Sequence, residues 1–398
     1  MKKVLPLFVF IDACGWEIIR DHPFARDVAP LRRPLRSVFG YSSACIPSIL
    51  SGRWPAEHRN WCYFVHDPAN SPFKMLKPLG WLPRWITCRR IFRRWLSKLM
   101  RGPLGFKGYF DLYNLDFGQI GRFDFTEKKS PLQPGGMNRG PNIFDCLREQ
   151  GIRYHVSTPA RGEAGNLADL QAAIATEAID FAFLYWPDLD GLMHRVGNDA
   201  PDVPAALERY EAKLADLMAT ARGHYDEVKL YVFSDHGMAN CTRTLDLRRR
   251  LGALDAVAGR DYAVVLDSTM ARFWFFNDAA RREITASLAG VPEGRVLPDD
   301  ELEELGTLFP DRYFGELIFL VEEGVLIVPS DMGEKPLAAM HGYHPDAPHS
   351  YAALMTNQPN VPADVNAIPH LYGLMRTEAA AAHEANRQPQ RELAAIPA

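Results

Sequence analysis

The feature that most constrains the fold of this chain is an apolar run that ends in adjacent acidic and imidazole side chains. Residues Lys229–Met238 read KLYVFSDHGM, so a strand-like segment is followed at once by Asp235 and His236. A short run of β-branched and aromatic residues indicates a buried strand, and α/β proteins place reactive side chains just beyond the carboxyl ends of such strands. As an isolated observation, Asp235 could equally be a helix cap and His236 an ordinary loop histidine.

The rest of the chain predicts an α/β fold around that strand. Residues 4–12 form a second apolar run that ends in an acid, and predicted strands at 154–157, 180–186 and 228–234 alternate with predicted helices. This alternation predicts a mostly parallel, doubly wound sheet with helices on both faces. At 398 residues, the chain is long enough for one such domain over residues 1–377. Residues 378–398, rich in Ala, Glu, Gln and Arg, are expected to form a loosely ordered tail, either a loose helix or a disordered end.

Residues 63–140 interrupt the alternation and are predicted to form an inserted cap. Within the cap, residues 84–101 carry seven cations and no acid, with apolar residues at helical spacing, which predicts a basic amphipathic helix. Its apolar stripe could pack on the main domain, or the helix could lie on an anionic membrane surface. A third alternative is that arginines such as Arg89 and Arg93 bind an anionic substrate.

Composition indicates which kinds of partner the protein binds and where in the cell it is located. A net charge of −4 argues against a nucleic-acid-binding surface, and no apolar run approaches the roughly 20 residues that span a bilayer. Six cysteines lie without C-x-x-C pairs, which favours reduced thiols. We therefore expect a cytoplasmic protein, with peripheral contact at the inner membrane face if residues 84–101 bind lipid.

Acidic and histidine side chains recur where predicted strands end. The candidates are Asp12, the Asp190/His194 pair, the Asp235/His236 pair and the histidines of residues 341–349, namely His341, His344 and His349. Asp190 and His194 are four residues apart, so both side chains can share one face of a helix. Oxygen and nitrogen ligands without cysteine suit Zn²⁺ or Mn²⁺. Since a doubly wound sheet gathers its strand-end loops at one edge, these residues predict a metal site there.

The order and spacing of these motifs resemble the alkaline phosphatase superfamily, most closely its nucleotide pyrophosphatase/phosphodiesterase branch. That family has a strand-end Asp, then a Thr or Ser nucleophile with Gly ten residues later and P-x-x-H, and later D-x-x-x-H-x-x-G, S-D-H-G-M and H-G-Y. The matching residues are Asp12, Ser42, Gly52, Pro55, His58, Asp190, His194, Gly197, Ser234–Met238 and His341–Tyr343. The agreement extends from residue 4 to about residue 356, apart from the insertion.

The resemblance implies a two-metal site and a phosphoseryl intermediate on Ser42. One divalent ion, expected to be Zn²⁺ with Mn²⁺ as the alternative, would be held by Asp12, Asp235 and His236. The second ion would be held by Asp190, His194 and His341. The implied activity is metal-dependent hydrolysis of phosphate esters, of phosphodiesterase or nucleotide pyrophosphatase type, acting on a small-molecule or lipid-linked phosphoester.

Several alternatives remain open in the sequence. The family's T-F-P-N around the nucleophile is replaced by S-S-A-C, so counting favours Ser42 while Ser43 remains the alternative. The phosphate-binding Asn of phosphodiesterase members has no residue in register, although Asn60 is near, which leaves monoester and diester both open. Cys45 lies in C-I-P-S, similar to a sulfatase motif but without its Arg and with the wrong spacing to Gly52. A phosphotransferase would use the same residues, whereas a catalytically silent binding protein would be expected to have lost ligands.

Overall fold

The computed structural model describes the backbone of residues 2–394 and the side chains of residues 2–83 and 85–387. Its strands are β1 (Lys2–Ile11), β2 (Leu31–Leu35), β3 (Phe64–His66), β4 (Phe123–Phe125), β5 (Tyr154–Val156), β6 (Phe181–Trp186), β7 (Tyr225–Phe233), β8 (Ala239–Asn240), β9 (Arg243–Leu245), β10 (Tyr262–Leu266), β11 (Met270–Phe275), β12 (Gly294–Val296), β13 (Leu317–Val321), β14 (Val325–Ile327), β15 (Ala339–Met340) and β16 (Ala352–Thr356). Its helices are α1 (Trp16–Ile19), α2 (Ser42–Ser51), α3 (Pro55–His58), α4 (Arg84–Thr87), α5 (Arg90–Arg101), α6 (Ile143–Glu149), α7 (Gly162–Ala175), α8 (Asp188–Val196), α9 (Asp202–Arg222), α10 (Leu247–Leu251), α11 (Asp278–Ala289), α12 (Asp299–Glu304) and α13 (Leu371–Ala394).

The central sheet has the strand order β2-β16-β7-β1-β6-β5. β1 pairs in parallel with both β6 and β7, and β5 pairs in parallel with β6. β16 runs antiparallel to both of its neighbours, β7 and β2, and is the exception among the six strands. The predicted α/β fold with a mostly parallel sheet is therefore confirmed.

Helices cover both faces of this sheet, because side chains alternate along its strands. On β1, Phe8 and Phe10 face the layer that contains α2, α6 and α13. Leu7, Val9 and Ile11 face the opposite layer, which contains α7, α8 and α9. A strand buried on both faces must be apolar throughout, and this explains the continuous apolar run at residues 4–11.

The cap region, residues 63–140, contributes no strand to the central sheet. Its short β3–β4 pair and surrounding aromatic residues form a separate apolar cluster. This cluster also contains Ala263, Val265 and Trp274 of β10 and β11, strands of a second, antiparallel sheet of order β10-β11-β13-β12. The cap is thus packed against the second sheet.

The predicted single amphipathic helix at 84–101 is two helices, α4 and α5, because Arg89 adopts an extended conformation between them. The predicted apolar stripe of residues 84–101 also faces a different direction from the one that the sequence indicated. Trp85, Trp95 and Leu99 are exposed, whereas Arg93 is buried with its guanidinium 3.9 Å from the Phe117 ring centroid. Sequence periodicity cannot detect a partner that lies 24 residues away.

Residues 378–387 of the predicted loosely ordered tail belong to α13 and pack on the main domain. Ala379 and Ala382 are buried, and small side chains allow the helix to approach the sheet closely. The Asn386 amide accepts from the backbone N–H groups of Lys3 and Val4 and donates to the Val4 carbonyl. The last four residues of the predicted tail, 395–398, lie outside the described residues. Within the described chain, no helix has the length and apolar character needed to cross a bilayer.

Candidate functional site

Three parallel strands place the candidate ligands at one edge of the central sheet. Asp12 directly follows β1, and Asp235 and His236 lie just beyond the end of β7. β6 leads into α8, which carries Asp190 and His194 one helical turn apart. Because β1, β6 and β7 are parallel neighbours, their carboxyl ends meet, and the loop after β15 adds His341 to the same edge.

The first group of side chains consists of Asp12, Asp235 and His236, whose candidate ligand atoms lie within 4.8 Å of one another. The His236 Nε2 atom is 3.1 Å from Asp235 Oδ2 and 3.6 Å from Asp12 Oδ1. All three residues are buried. The first group therefore concentrates two carboxylates around one imidazole nitrogen in a region with little water.

The second group consists of Asp190, His194 and His341, again with ligand atoms within 4.8 Å. Asp190 Oδ1 lies 3.2 Å from His194 Nε2 and 3.5 Å from His341 Nε2. The rings of His341 and His236 stack in parallel, with centroids 3.7 Å apart, and so join the two groups. The structure thus brings together all six of the side chains that the family resemblance implies as ligands.

Hydrogen bonds orient the histidines toward the centre of the site. His236 Nδ1 lies 2.9 Å from the Gly237 carbonyl, and His194 Nδ1 lies 2.9 Å from the Ala339 carbonyl. A carbonyl oxygen only accepts, so each Nδ1 carries the proton and each Nε2 is directed at the carboxylates. This second contact fixes ring orientation in histidines that bind metals.

The pKa values show how strongly the charges interact. Burial raises the pKa of Asp12 well above its usual range, and the negative charges of Asp235 and Asp190 raise it further. Burial alone would lower the pKa of His236, yet the carboxylates of Asp235 and Asp12 raise it to about 10. His194 and His341 hold the pKa of Asp190 below its usual range despite its burial. The site therefore favours positive charge among its carboxylates.

Unsatisfied polar atoms indicate what would supply that charge. Among the described side chains, Asp12 Oδ1 and His341 Nδ1 are buried without a hydrogen-bond partner, and Asp190 Oδ1 and Asp235 Oδ2 have only the imidazole nitrogens at 3.2 and 3.1 Å beside them. Leaving such atoms unpaired costs about 1–3 kcal/mol each, and more for charged groups. Carboxylate oxygens and imidazole nitrogens are suitable ligands for divalent cations, so the donor set fits a metal centre.

The two candidate serines have different surroundings. Ser42 is the first residue of α2, and its Oγ lies 3.0 Å from His236 Nε2. Ser43 is buried, and its hydroxyl donates to the Trp61 carbonyl instead. The structure therefore places Ser42, and not Ser43, beside the first group. The free N–H groups of the first turn of α2 add partial positive charge beside this hydroxyl.

Two glycines allow the loops of β1 and β7 to approach each other. A Cβ atom on Gly15 would collide with the backbone of Gly237, and a Cβ on Gly237 would collide with the His349 carbonyl. The close backbone approach fixes the separation between Asp12 and Asp235, which precede these glycines. In this way the S-D-H-G sequence serves packing as well as the site.

The P-x-x-H motif supports α2 through a contact of His58. His58 is fully buried, and its Nε2 lies 2.9 Å from the Ser48 hydroxyl while its Nδ1 accepts from the Asn60 backbone N–H. Burial lowers the pKa of His58 to about 3, so the ring is neutral at physiological pH. The motif thus has a structural explanation: a neutral imidazole ties α3 to the helix that begins with Ser42.

A cavity of about 760 Å³ extends from the site toward the cap. Asp12, Ser42 and His341 lie at one part of its wall, and Arg90, Arg101 and Lys107 of the cap contribute cations elsewhere. Aromatic side chains complete the cap side of the wall, namely Tyr63, Tyr109, Phe110 and Tyr113. The cavity can therefore hold a phosphate group together with a larger substituent.

Three predicted substrate contacts lie away from this wall. Asn60 is buried, and its side-chain oxygen accepts from the Asn138 backbone N–H. Arg89 is exposed and contacts the Trp85 ring, whereas Arg93 packs on Phe117 as described above. Arg90 and Arg101 are the arginines that line the cavity. The segment predicted to contact substrate therefore does line the cavity, but through Arg90 and Arg101 and not through Arg89 or Arg93.

The remaining candidates also have structural partners outside the site. His344 pairs with Glu301, and His349 pairs with Glu323. Cys45 is fully buried with its sulfur 3.5 Å from the Ser37 hydroxyl, and it does not line the cavity. Burial raises the pKa of the Cys45 thiol well above its usual range, which is unsuitable for a nucleophile.

Sequence inspection missed two residues that organise the site and the cavity. The Tyr185 hydroxyl donates to Asp12 Oδ2 at 2.5 Å. The sequence indicated this role only in that Tyr185 is a side chain with a hydroxyl group in an otherwise apolar strand. Arg272 is fully buried, pairs with Asp267 at 2.7 Å and donates to the Phe64 carbonyl, thereby connecting β11 to the cap. No sequence spacing links Arg272 to Phe64, so this contact could not be predicted.

Comparison with known proteins agrees with this geometry. A family model described as type I phosphodiesterase / nucleotide pyrophosphatase matches residues 9–344. Human ectonucleotide pyrophosphatase/phosphodiesterase family member 5 is 28% identical over 172 residues, which cover 39% of this chain and 34% of that protein. Bis(5'-adenosyl)-triphosphatase enpp4 of Xenopus laevis is 23% identical over 187 residues, covering 46% of this chain and 40% of that protein. The chain thus spans between a third and two fifths of the length of these curated relatives.

Solved structures show the same fold at lower identity. The structure of human ectonucleotide pyrophosphatase/phosphodiesterase 5 superimposes with a TM-score of 0.65 at 15% identity, covering 96% of this chain and 95% of that one. Phosphonoacetate hydrolase from Sinorhizobium meliloti 1021, in complex with phosphonoformate, gives a TM-score of 0.65 at 14% identity, with 95% and 96% covered. These likenesses establish the alkaline phosphatase-like fold. With the family model matched across most of its length, the chain belongs to the type I phosphodiesterase / nucleotide pyrophosphatase family.

Proposed function

We propose that this protein is a metal-dependent phosphoesterase that cleaves phosphodiesters through a phosphoseryl intermediate on Ser42. One observation carries the proposal: two Asp/His groups are joined by the stacked rings of His236 and His341, with the Ser42 hydroxyl 3.0 Å from the first group. A nucleophile beside two clusters of metal ligands is the arrangement required for in-line displacement at phosphorus.

The proposal assigns one ion to each group. Asp12, Asp235 and His236 would hold the first, and Asp190, His194 and His341 the second. When bound, Zn²⁺ or Mn²⁺ would neutralise the phosphate and lower the pKa of a hydroxyl or water in contact with it. The mixed carboxylate and imidazole ligands, with no thiolate, support Zn²⁺ and also suit Mn²⁺.

The reaction of the chain's own residues has two halves. In the first, Ser42 Oγ bonds to phosphorus while the bond from phosphorus to the ester oxygen breaks, and the serine proton ends on the departing alcohol through solvent. In the second, a water oxygen displaces Oγ, so that Ser42 regains a proton and phosphate monoester is released. Backbone N–H groups at the start of α2 would bind the non-bridging oxygens throughout.

A diester is favoured because the cavity has room beyond the phosphate. Its volume of about 760 Å³ and the cationic side chains of Arg90, Arg101 and Lys107 suit a second, partly anionic substituent. A murine relative of the same fold was solved in complex with AMP. By this analogy, nucleotide phosphoesters are the substrate class that we propose to test first, with lipid-linked phosphoesters as the alternative class.

The test is hydrolysis of an aryl phosphodiester and its matched phosphomonoester by metal-free protein to which Zn²⁺ or Mn²⁺ is returned. We expect hydrolysis only after metal addition, preference for the diester, and a loss of at least about 1,000-fold in Ser42→Ala. Ser43→Ala is the matched control, because it removes the neighbouring hydroxyl that faces Trp61. Circular dichroism of each variant checks folding.

Three outcomes would contradict parts of the proposal. Activity that resists a chelator would refute the metal centre, and full activity in Ser42→Ala would refute the nucleophile. Transfer of the phosphoryl group to an added alcohol in preference to water would identify a phosphotransferase that uses the same residues. Product analysis by phosphorus NMR separates hydrolysis from transfer.

We further propose a cytoplasmic location. Cys14, Cys45 and Cys62 are buried as reduced thiols, as expected for a protein that folds in a reducing compartment. Fractionation of cells that express the tagged chain would test the location. Recovery with an oxidising, extracytoplasmic fraction would refute it.

A further inference from the structure

The cap presents large apolar side chains to solvent on α4 and α5. Their exposed fractions are 67% for Trp85, 85% for Ile91, 60% for Trp95 and 56% for Leu99. The last three follow each other at intervals of four residues, so they lie along one side of α5. We refer to these four residues as the α4–α5 face. Clustered exposed apolar residues of this size mark an interaction surface.

The opposite side of α5 is already occupied by the cap interior. Leu96 and Met100 are buried in the aromatic cluster, and Arg93 lies against Phe117. The Ser97 hydroxyl accepts from the Leu112 backbone N–H and so ties the helix to the following loop. The helix is therefore held in this orientation by contacts on its inner side, and the four side chains of the α4–α5 face stay more than half exposed, with the Arg89 guanidinium beside the Trp85 ring.

Charge around the face identifies the chemistry of its partner. Residues 68–110 contain ten Lys and Arg residues and no Asp or Glu. Arg89, Arg94 and Lys98 are exposed beside the apolar side chains. A second copy of the same face would bring like charges together, and a nucleic acid offers nothing to Ile91 or Leu99. An anionic bilayer provides negative headgroups for the cations and an apolar layer for the side chains between them.

The same helix also forms part of the cavity wall. Arg90 and Arg101, at the two ends of α5, line the cavity that reaches Asp12 and Ser42. A phosphoester held in a membrane below α5 would thus be adjacent to the cavity when the α4–α5 face is in contact with lipid. The exposed tryptophans suit the headgroup layer, where such rings are enriched.

We propose that the α4–α5 face docks on an anionic membrane and directs the cavity toward phosphoesters carried by that membrane. The substrate part of this inference rests on the phosphoesterase activity proposed above. The docking part does not, because it depends on the surface alone.

The docking test is co-sedimentation of the full chain with phosphatidylglycerol/phosphatidylcholine vesicles and with phosphatidylcholine vesicles. One variant combines Trp85→Gln, Ile91→Gln, Trp95→Gln and Leu99→Gln; a second combines Arg89→Gln, Arg94→Gln and Lys98→Gln. The matched control combines Arg222→Gln, Arg249→Gln and Arg282→Gln, which are exposed cations outside the cap. None of the variants alters a residue of the proposed catalytic site.

We expect the wild type and the control to bind the anionic vesicles and to bind phosphatidylcholine far less. At roughly fivefold per cation near an anionic surface, the charge variant should bind on the order of 100-fold more weakly. The apolar variant should lose binding to a similar degree. All variants should hydrolyse a soluble aryl phosphodiester at the wild-type rate, whereas the two face variants should lose turnover of the same diester attached to a diacylglycerol in vesicles.

Failure of docking and failure of the catalytic proposal give different results. Wild-type vesicle binding no stronger than that of the two face variants would overturn the docking inference, even if the soluble ester is cleaved. Binding without cleavage of either ester would leave docking supported and refute the phosphoesterase. The wild type could instead form a dimer that does not bind vesicles and that the apolar variant converts to a monomer. This result would assign the α4–α5 face to a second copy of the chain and overturn the proposal of membrane docking.

Discussion

Replacing Asp12 with Asn should change stability in opposite directions with and without metal. Without metal, Asp12 and Asp235 are two buried carboxylates with oxygens within 4.8 Å of each other, and His236 together with the Tyr185 hydroxyl offsets their repulsion only in part. Asn at this position has nearly the same shape and can still accept from the Tyr185 hydroxyl. We therefore expect Asp12→Asn to stabilise the metal-free protein and to destabilise the metal-loaded one relative to wild type.

The magnitudes follow from the spacing and the chain length. Two unit charges about 4 Å apart repel by about 4 kcal/mol at an effective dielectric constant of 20. Burial and the neighbouring carboxylates raise the pKa of Asp12, so protonation already relieves part of this repulsion, and the variant also loses attraction to His236; the net gain is then about 2 kcal/mol. For a chain of 398 residues, the unfolding entropy is about 0.8 kcal/mol/K, so Tm should rise by about 2 °C. Metal at a thousand times its Kd stabilises wild type by about 4 kcal/mol, or about 5 °C, and the variant should lose most of this gain.

The assay is differential scanning calorimetry of both proteins with chelator and with Zn²⁺. Asp180→Asn is the matched control, because Asp180 is an equally buried carboxylate that is fully paired with Lys2, His383 and Asn386. That change should lower Tm by a similar amount in both conditions. A lower Tm for Asp12→Asn in chelator, or an unchanged response to Zn²⁺, would refute the account of the first group as an electrostatically strained metal site.

Three further predictions concern the supporting residues. Tyr185→Phe removes the hydrogen bond to Asp12 and should weaken metal binding by about 10- to 100-fold, as measured by competition with a chromogenic chelator. Arg272→Met leaves Asp267 buried without its partner and should cost about 3–5 kcal/mol in urea unfolding, with partial recovery on adding Asp267→Asn; a cost below about 1 kcal/mol would contradict this. The pKa of His58 is about 3 in the folded protein and about 6.5 in the unfolded chain, so its contribution to stability is complete above pH 6.5 and is lost as the pH falls toward 3. His58→Gln should therefore make Tm depend less on pH between pH 3 and 6.5.

The clustering of the six candidate metal ligands could be predicted because it depends on topology. Asp12 and Asp235 follow apolar runs that could only be buried strands, and parallel strands bring their carboxyl ends to one edge. Asp190 and His194 needed only the helical repeat to share one face. Selecting His341 over His344 and His349 required the family's H-G-Y motif, because nothing in local spacing distinguishes three neighbouring histidines.

The cap and the C-terminal helix could not be predicted in the same way. Arg93 was expected among the substrate contacts, and its burial depends on Phe117, which no periodicity connects to it. The Ala-rich segment after Glu378 has the composition of a disordered end, yet Asn386 binds the first residues of β1 across more than 380 positions. Long-range contacts of this kind override local composition.

The central position of β1 has a consequence for synthesis of the chain. This strand leaves the ribosome well before its partners β6 and β7, which begin at Phe181 and Tyr225. At roughly 5–20 residues per second, about ten to forty seconds pass before either partner is available. During that time a long apolar strand has both edges unpaired. Lys2, Lys3 and Pro6 lie within β1, and charge and proline are the features that restrain aggregation of such a segment while the nascent chain awaits its partners.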